Sequence, residues 1–362
     1  MLQTSLEKKQ ALIKTLAHAR EGHGLSEEEF VGLWDVSDED WTKIFKTAAI
    51  LTGQHFNNTL RFFAPLYFSN YCVNDCLYCG FRRTNISLDR RMLTPEEFIR
   101  EARHLWDAGH RTIILISGEH PIYSNPERIA EYLFLLHREK MNFFIVLEVG
   151  PLDADEYNFL KTQGVRQALI FQETYDEVSY AKYHTGLKQD FLWRLHAPQR
   201  AIESGLNKVG LGILLGLSDV RQDLVGLFRH AHELKKIYDV WPSTFSFPRL
   251  RPAPGLAFEP DPKFRVSDAD FEKVLALVRL AFPQSGIILS TRENASFRDS
   301  LLRKKFGVTH LSAGSCTAPG GYVVSPSKSC HQFEVSDERS LNQLSKKVAQ
   351  IGYQPIYGGT RK

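Results

Sequence analysis

Three cysteines, Cys72, Cys76 and Cys79, stand in the arrangement C-x3-C-x2-C, with Tyr78 directly before the third. Thiolates are soft ligands suited to iron, and three of them at this spacing can hold three irons of a [4Fe–4S] cube. The fourth iron is then open to chelation by a small molecule. Tyr78 adds an aromatic face of the kind a nucleoside packs against. Zinc is the competing use of C-x2-C pairs, but a structural zinc site closes with four ligands. Here the cysteines number three, and the next histidine, His104, is remote. A disulfide framework fits worse, since five cysteines in 362 residues are few and odd in number.

Such a cluster needs a scaffold that points several side chains at one spot. Short apolar runs at 64–69, 112–117, 143–149, 168–172, 209–214, 244–247, 286–290 and 308–311 read as strands, and amphipathic stretches separate them. The stretch after the first run opens with Thr94 as cap, Pro95 at the first helical position and Glu97 three after the cap. Phe98, Ala102, Leu105 and Trp106 make its apolar stripe, and Gly109 lies beyond its end. Alternating β and α units predict an α/β fold, a (β/α)8 TIM barrel. An open doubly wound sheet is the alternative, but no G-x-G-x-x-G follows the first strand. The residues before about 60 read as a helical extension; Ser37-Asp38-Glu39-Asp40 has the form of a capping box. The barrel is expected over 61–315, with 316–362 packing on it. Polar groups then collect at C-terminal strand ends, where barrels carry their chemistry: Ser117 to His120, Gln172 to Tyr175, Gly210 to Gly212 and Ser290 to Glu293.

A net charge of +3 and pI near 8.5, with basic pairs short and scattered, argue against a nucleic-acid partner. No apolar stretch approaches membrane-span length and the first residues carry no apolar leader, so the expectation is a cytoplasmic protein with reduced thiols.

The segments APLYFSNYCVNDCLYCGF (64–81), ISGEHP (116–121), FQETYDEVSYAKYH (171–184), KQDFLWRL (188–195), GLGILLGLSD (210–219), SFPRLRP (246–252), LSTRE (289–293) and TAPGGY (317–322) resemble the aromatic amino acid lyase branch of the radical S-adenosylmethionine (SAM) enzymes, nearest the tyrosine lyases of thiamine biosynthesis. The resemblance implies a [4Fe–4S] cluster on Cys72, Cys76 and Cys79, with SAM chelating the open iron and yielding a 5′-deoxyadenosyl radical. It places Ser117, Gly118 and Glu119 at the SAM amino group, Tyr78, Gln172 and Gly212 in the cofactor site, Glu173 at the ribose diol and Arg194 at the SAM carboxylate. The implied substrate is L-tyrosine, cleaved at Cα–Cβ to dehydroglycine (2-iminoacetate) and p-cresol. Arg292, with Ser290, is then the candidate for the substrate carboxylate, and Tyr67 and Ser312 are further contacts by position. Arg249 and Arg251 are cations for a phenolate or for an internal carboxylate. A ferredoxin or flavodoxin is the implied electron donor, and thiazole synthase the implied partner.

The chain departs from that pattern at Asp176, where relatives carry histidine after Gln-Glu-Thr-Tyr, and this keeps a tryptophan-type lyase open. It also carries no C-x2-C near Lys362, which predicts release of dehydroglycine intact rather than its breakdown to CO and cyanide. Cys316 and Cys330 read as reduced thiols without a role, an accessory metal or redox function being the alternative. His120 and His184 fall in motif segments, while His196 and His230 read as packing or surface groups. A non-catalytic zinc or iron–sulfur scaffold is the rival from another functional class.

Overall fold

The computed structural model describes residues 2–324 and 330–358. Helices α1 (Leu2–Arg20), α2 (Glu27–Gly32) and α3 (Asp38–Phe56) precede eight parallel strands. These are β1 (Thr59–Ser69), β2 (Thr112–Ser117), β3 (Phe144–Glu148), β4 (Val165–Glu173), β5 (Val209–Ile213), β6 (Thr244–Ser246), β7 (Gly286–Leu289) and β8 (His310–Ser312). Between them run α4 (Pro95–Asp107), α5 (Pro126–Arg138), α6 (Ala154–Thr162), α7 (Glu177–Tyr183), α8 (Phe191–Leu195), α9 (Ala197–Glu203), α10 (Val220–Tyr238), α11 (Asp268–Ala281) and α12 (Ala295–Lys304). β1 pairs with both β2 and β8, so the sheet closes into the expected TIM barrel.

Side-chain alternation builds two cores at once. Phe62, Leu66, Phe68, Ile113, Leu115, Ile145 and Leu147 face outward against the helices. Phe63, Tyr67, Ile114, Ile116, Val146, Leu169 and Ile288 face inward and fill the barrel. Burial on both faces explains why the strands read as unbroken apolar runs.

The capping box at Thr94 and Glu97 is present, with Pro95 in the first turn. Ser37 caps α3 by accepting from the Asp40 amide, and the Asp40 carboxylate accepts the Ser37 hydroxyl rather than closing the box on the backbone. Trp41, Ile44 and Ala48 of α3 are buried. Phe45 stacks on Phe306, in the turn before β8, with ring centroids 4.8 Å apart.

Beyond the barrel, α13 (Leu341–Gln350) leads into a strand that the sequence did not announce. This is β9 (Gln354–Ile356), which pairs in parallel with Thr59–Arg61 at the start of β1. Among the described residues, no helix is long and apolar enough to cross a membrane.

One buried ion pair fastens the C-terminal segment to the barrel mouth. The fully buried Arg298 of α12 meets the Asp337 carboxylate and donates to the carbonyl of Ser312 in β8 at 2.6 Å. Asp337 → Ala leaves that guanidinium buried without its counter-charge and is expected to cost about 3–5 kcal/mol in denaturant unfolding of the metal-free chain. The double change Arg298→Met, Asp337→Leu should recover the part of the loss due to the unpaired Arg298, while the contacts of Asp337 with Arg339 stay lost. Equal stability of the parent and the single variant would contradict the arrangement.

Candidate active site

A cavity of about 1250 Å³, counted to its open mouth, occupies the C-terminal end of the barrel. Cys72, Cys76 and Cys79 all line it. Burial pushes their thiols up, that of Cys72 to about 11, as a low-dielectric setting does to any group that must become an anion. Among the described residues no three His, Cys, Asp or Glu side chains converge on a single ion position. The three thiols border one shared space instead, and a cube takes one thiolate per iron.

Beside the cysteines lies a polar wall. Glu119 accepts from the Arg194 guanidinium at 3.3 Å and from Asn74 Nδ2 at 2.7 Å, while Asn74 Oδ1 accepts the backbone amide of Lys188 at 2.9 Å. Lys188 in turn pairs with Glu173. Burial pulls Lys188 and Arg194 down, yet their carboxylate partners outweigh it and hold both cationic. Ser117 Oγ is buried with no hydrogen-bond partner among the described residues, leaving a polar atom for a ligand to satisfy. Gly118 permits the fit, since a Cβ there would fall 2.4 Å from the Tyr71 carbonyl and 2.9 Å from Cys72 Cβ. Tyr78 lines the cavity and donates its hydroxyl to His184 Nε2 at 2.8 Å, with His184 Nδ1 directed at the Tyr180 carbonyl. Burial drives the His184 pKa down to about 2, so the ring is neutral. The thiols, the orphaned hydroxyl and the paired cations beside them fit a cluster with a zwitterionic nucleoside ligand.

Two candidates sit differently from expectation. Gln172 points away from the cavity, because alternation along β4 turns Phe171 and Glu173 inward; its amide faces the Phe191 carbonyl at 3.4 Å. Gly212 offers no contact of its own. It leaves room for the Phe171 ring, which a Cβ would meet at 2.4 Å. A register shift between Phe171 and Glu173 and a φ of +73° at Glu173 re-aim that carboxylate at the strand end.

The far side of the cavity carries the substrate candidates. Arg292 lines it, and among the described residues its guanidinium meets no carboxylate; it lies over the Phe333 ring, 3.5 Å from the centroid. Ser290 Oγ accepts the Arg292 backbone amide at 3.4 Å. Ser312 also lines the cavity and shares a hydrogen bond with Ser315. Tyr67 donates its hydroxyl to Gln332 Oε1 at 2.7 Å, and burial, with the Glu148 charge next, keeps the phenol protonated.

Glu148, closing β3, also lines the cavity, and among the described residues no hydrogen bond or ion pair engages its carboxyl. Desolvation, helped by Glu173, pushes its pKa up to about 8 against the pull of Arg292 and Lys188. Sequence reasoning passed over Glu148, although a carboxylate at a strand end was the available signal. Lys188 and Asn74 sit inside motif segments but were not singled out, and Gln332 and Phe333 gave no signal.

Arg249 and Arg251 both serve an internal carboxylate, Glu293, and lie outside the cavity. Asp176 is the N-cap of α7, accepting the Ser179 amide at 3.0 Å, and it too is outside the cavity. His230 is buried packing, hydrogen-bonded to the Tyr175 hydroxyl.

Residues 66–231 match the model of the Radical SAM superfamily, and residues 246–354 that of the Biotin and Thiamin Synthesis associated domain. The chain is 35% identical to 2-iminoacetate synthase of Salmonella typhimurium, covering 92% of this chain and 87% of that one. It is 36% identical to 2-iminoacetate synthase of Escherichia coli, covering 87% and 82%. Among solved structures it superimposes on the FeFe-hydrogenase maturase HydG from Carboxydothermus hydrogenoformans with a TM-score of 0.87, at 34% identity over 98% of this chain and 81% of that one. With a shared barrel and identity at this level along nearly its whole length, the chain belongs to the radical SAM superfamily and, within it, to the family of the 2-iminoacetate synthases.

Proposed function

We propose that this chain is a carbon–carbon lyase that cleaves L-tyrosine between Cα and Cβ, giving 2-iminoacetate and p-cresol. The observation that carries the reading is a guanidinium and a carboxyl, Arg292 and Glu148, that line the same cavity as the three cysteines and that no hydrogen bond or ion pair engages among the described residues. When bound, the cluster and SAM of this family supply a 5′-deoxyadenosyl radical as the hydrogen acceptor.

The side chains do the rest. Glu119 takes the SAM ammonium, the cationic Arg194 its carboxylate and Glu173 its ribose hydroxyls. Arg292 grips the substrate carboxylate with a fork of donors that no carboxylate occupies among the described residues. β3 and β7 lie four strands apart whichever way the eight-stranded barrel is followed, so Glu148 faces Arg292 across its axis. A tyrosine held by Arg292 therefore points its phenol toward the Glu148 carboxyl, which hydrogen-bonds the hydroxyl. Its apolar ring lies against Phe63, Leu169 and Ile288 of the inner core. Asp176 caps a helix instead of lining the cavity, which weakens the case for the tryptophan-type lyase that this departure kept open. A ferredoxin or flavodoxin is the proposed electron donor. Because 2-iminoacetate hydrolyses in water, a thiazole synthase is the proposed acceptor.

The reading is tested by anaerobic reaction of the reconstituted chain with SAM, dithionite and each aromatic amino acid. Tyrosine is expected to give p-cresol and glyoxylate, the hydrolysis product. An indolic product from tryptophan, with no p-cresol from tyrosine, would overturn it.

Arg292 → Ala should weaken tyrosine binding by about 2–5 kcal/mol, the worth of a buried charge-assisted contact, while substrate-free SAM cleavage persists. Loss of that basal cleavage would move Arg292 to the cofactor site.

Glu148 has a pH signature of its own. Folded, it keeps its proton up to about 8, whereas the ordinary carboxyl value is 4.5. The unfolded chain thus releases this proton first, and stability of the cluster-free protein falls as pH rises between those values. Glu148 → Gln removes that slope. The variant should melt with the parent near pH 4 and above it near pH 9; parallel curves across that range would contradict the burial of this carboxyl.

A further inference from the structure

The segment after β8 returns across the barrel mouth and brings Gln332 to the innermost cysteine loop. Its backbone is fixed from two sides: the Gln332 amide donates to the Thr317 carbonyl at 2.9 Å, and its carbonyl accepts from the Gly80 amide at 3.0 Å. Gly80 follows Cys79, and a Cβ there would fall 2.5 Å from the His331 carbonyl oxygen and 2.7 Å from that of Gln332. The two strands of chain can be this close only with glycine at that point.

From this anchor the side chain reaches two partners. Oε1 lies 2.7 Å from the Tyr67 hydroxyl, and Nε2 lies 3.8 Å from Cys79 Sγ. An amide has one accepting and one donating end, and a cluster-bound thiolate offers lone pairs only. The NH2 group must therefore face sulfur and the carbonyl must face Tyr67. A carbonyl can only accept, so Tyr67 spends its single proton on Gln332. Toward the cavity, Tyr67 then presents lone pairs.

We propose that Gln332 is a positioning residue with two linked tasks, donating an N–H···S hydrogen bond to Cys79 and fixing Tyr67 as a hydrogen-bond acceptor for the amino group of the substrate. The first task acts on the cluster. Adding one electron makes the cluster more negative, and a donor on its sulfur stabilises the reduced form. The second acts on the substrate: a hydroxyl that cannot donate inward selects a ligand bearing N–H. This second task rests on the amino-acid reading above; the first does not.

Three variants separate the tasks. Gln332→Leu removes both contacts, Gln332→Glu keeps an acceptor for Tyr67 but turns lone pairs toward Cys79, and Tyr67→Phe removes the Tyr67–Gln332 bond and the substrate contact while leaving the amide donor at Cys79. Each is reconstituted, checked for iron and sulfide content, and reduced by one electron from dithionite through mediators, followed by electron paramagnetic resonance without SAM. At the poise where the parent is half reduced, Gln332→Leu and Gln332→Glu should show a reduced-to-oxidised ratio lower by about 2- to 10-fold, the worth of one hydrogen bond, and Tyr67→Phe should match the parent. KM for tyrosine should rise in Gln332→Leu and Tyr67→Phe, no further in their combination than in either alone, and stay near the parent in Gln332→Glu.

An unchanged ratio in both Gln332 variants, or an equal shift in Tyr67→Phe, overturns the cluster task. Additive KM effects overturn the Tyr67 task. If no amino acid is turned over by the parent, the amino-acid reading fails, and the electron-resonance arm still decides the role of Gln332 at Cys79.

Discussion

A carboxyl, ammonium or guanidinium group taken out of water costs several kcal/mol in its charged form unless an opposite charge or a set of hydrogen bonds replaces the solvent, and the mouth of this barrel holds six such groups. Glu119 and Arg194 answer one another, as do Glu173 and Lys188. Arg292 and Glu148 are answered by neither hydrogen bond nor ion pair among the described residues. That imbalance divides the cavity into a half that is electrostatically complete and a half that waits for a ligand with two polar ends. The answered charges stand after β2 and β4, while the unanswered pair spans the barrel from the end of β3 to the loop after β7, so the space between them is left for a ligand.

The rest of the fold reads as support for that division. Inner and outer cores alternate residue by residue, which lets one strand bury Phe62 against helices and aim Phe63 and Tyr67 into the cavity. Arg249, Arg251 and Glu293 tie the loop after β6 to the loop after β7, close to Arg292 but outside the cavity. Arg298 and Asp337 do the same for β8 and the segment that carries Gln332 and Phe333. Irregular backbone appears where aim matters: β1 shifts register between Tyr67 and Ser69, and β4 between Phe171 and Glu173.

Most barrel strands were legible because their apolar runs stand out, the three-residue β6 and β8 because they keep the alternation with helices, and α4 because its cap, proline and stripe agree. β9 was not, since three residues paired at the start of β1 leave no periodicity to detect. The cysteine loop announced itself through spacing. Gln172 misled because adjacency in a motif says nothing about which face of a strand a side chain takes. Asp176 looked like a change of substrate, yet its carboxylate caps a helix end. Gln332 is far from the cysteines in sequence and reaches them only through the path of the closing segment, a relation that no local pattern encodes.

Arg292 rests on an aromatic ring rather than on a carboxylate, and this shapes what the empty site will attract. A π face steadies a cation without consuming its hydrogen-bond donors. The fork is thus left fully armed between turnovers, and any small carboxylate that enters the mouth meets the same donors as the amino acid. Acetate, formate or citrate in a buffer becomes a competitor, so the anion chosen for purification sets the apparent affinity for substrate.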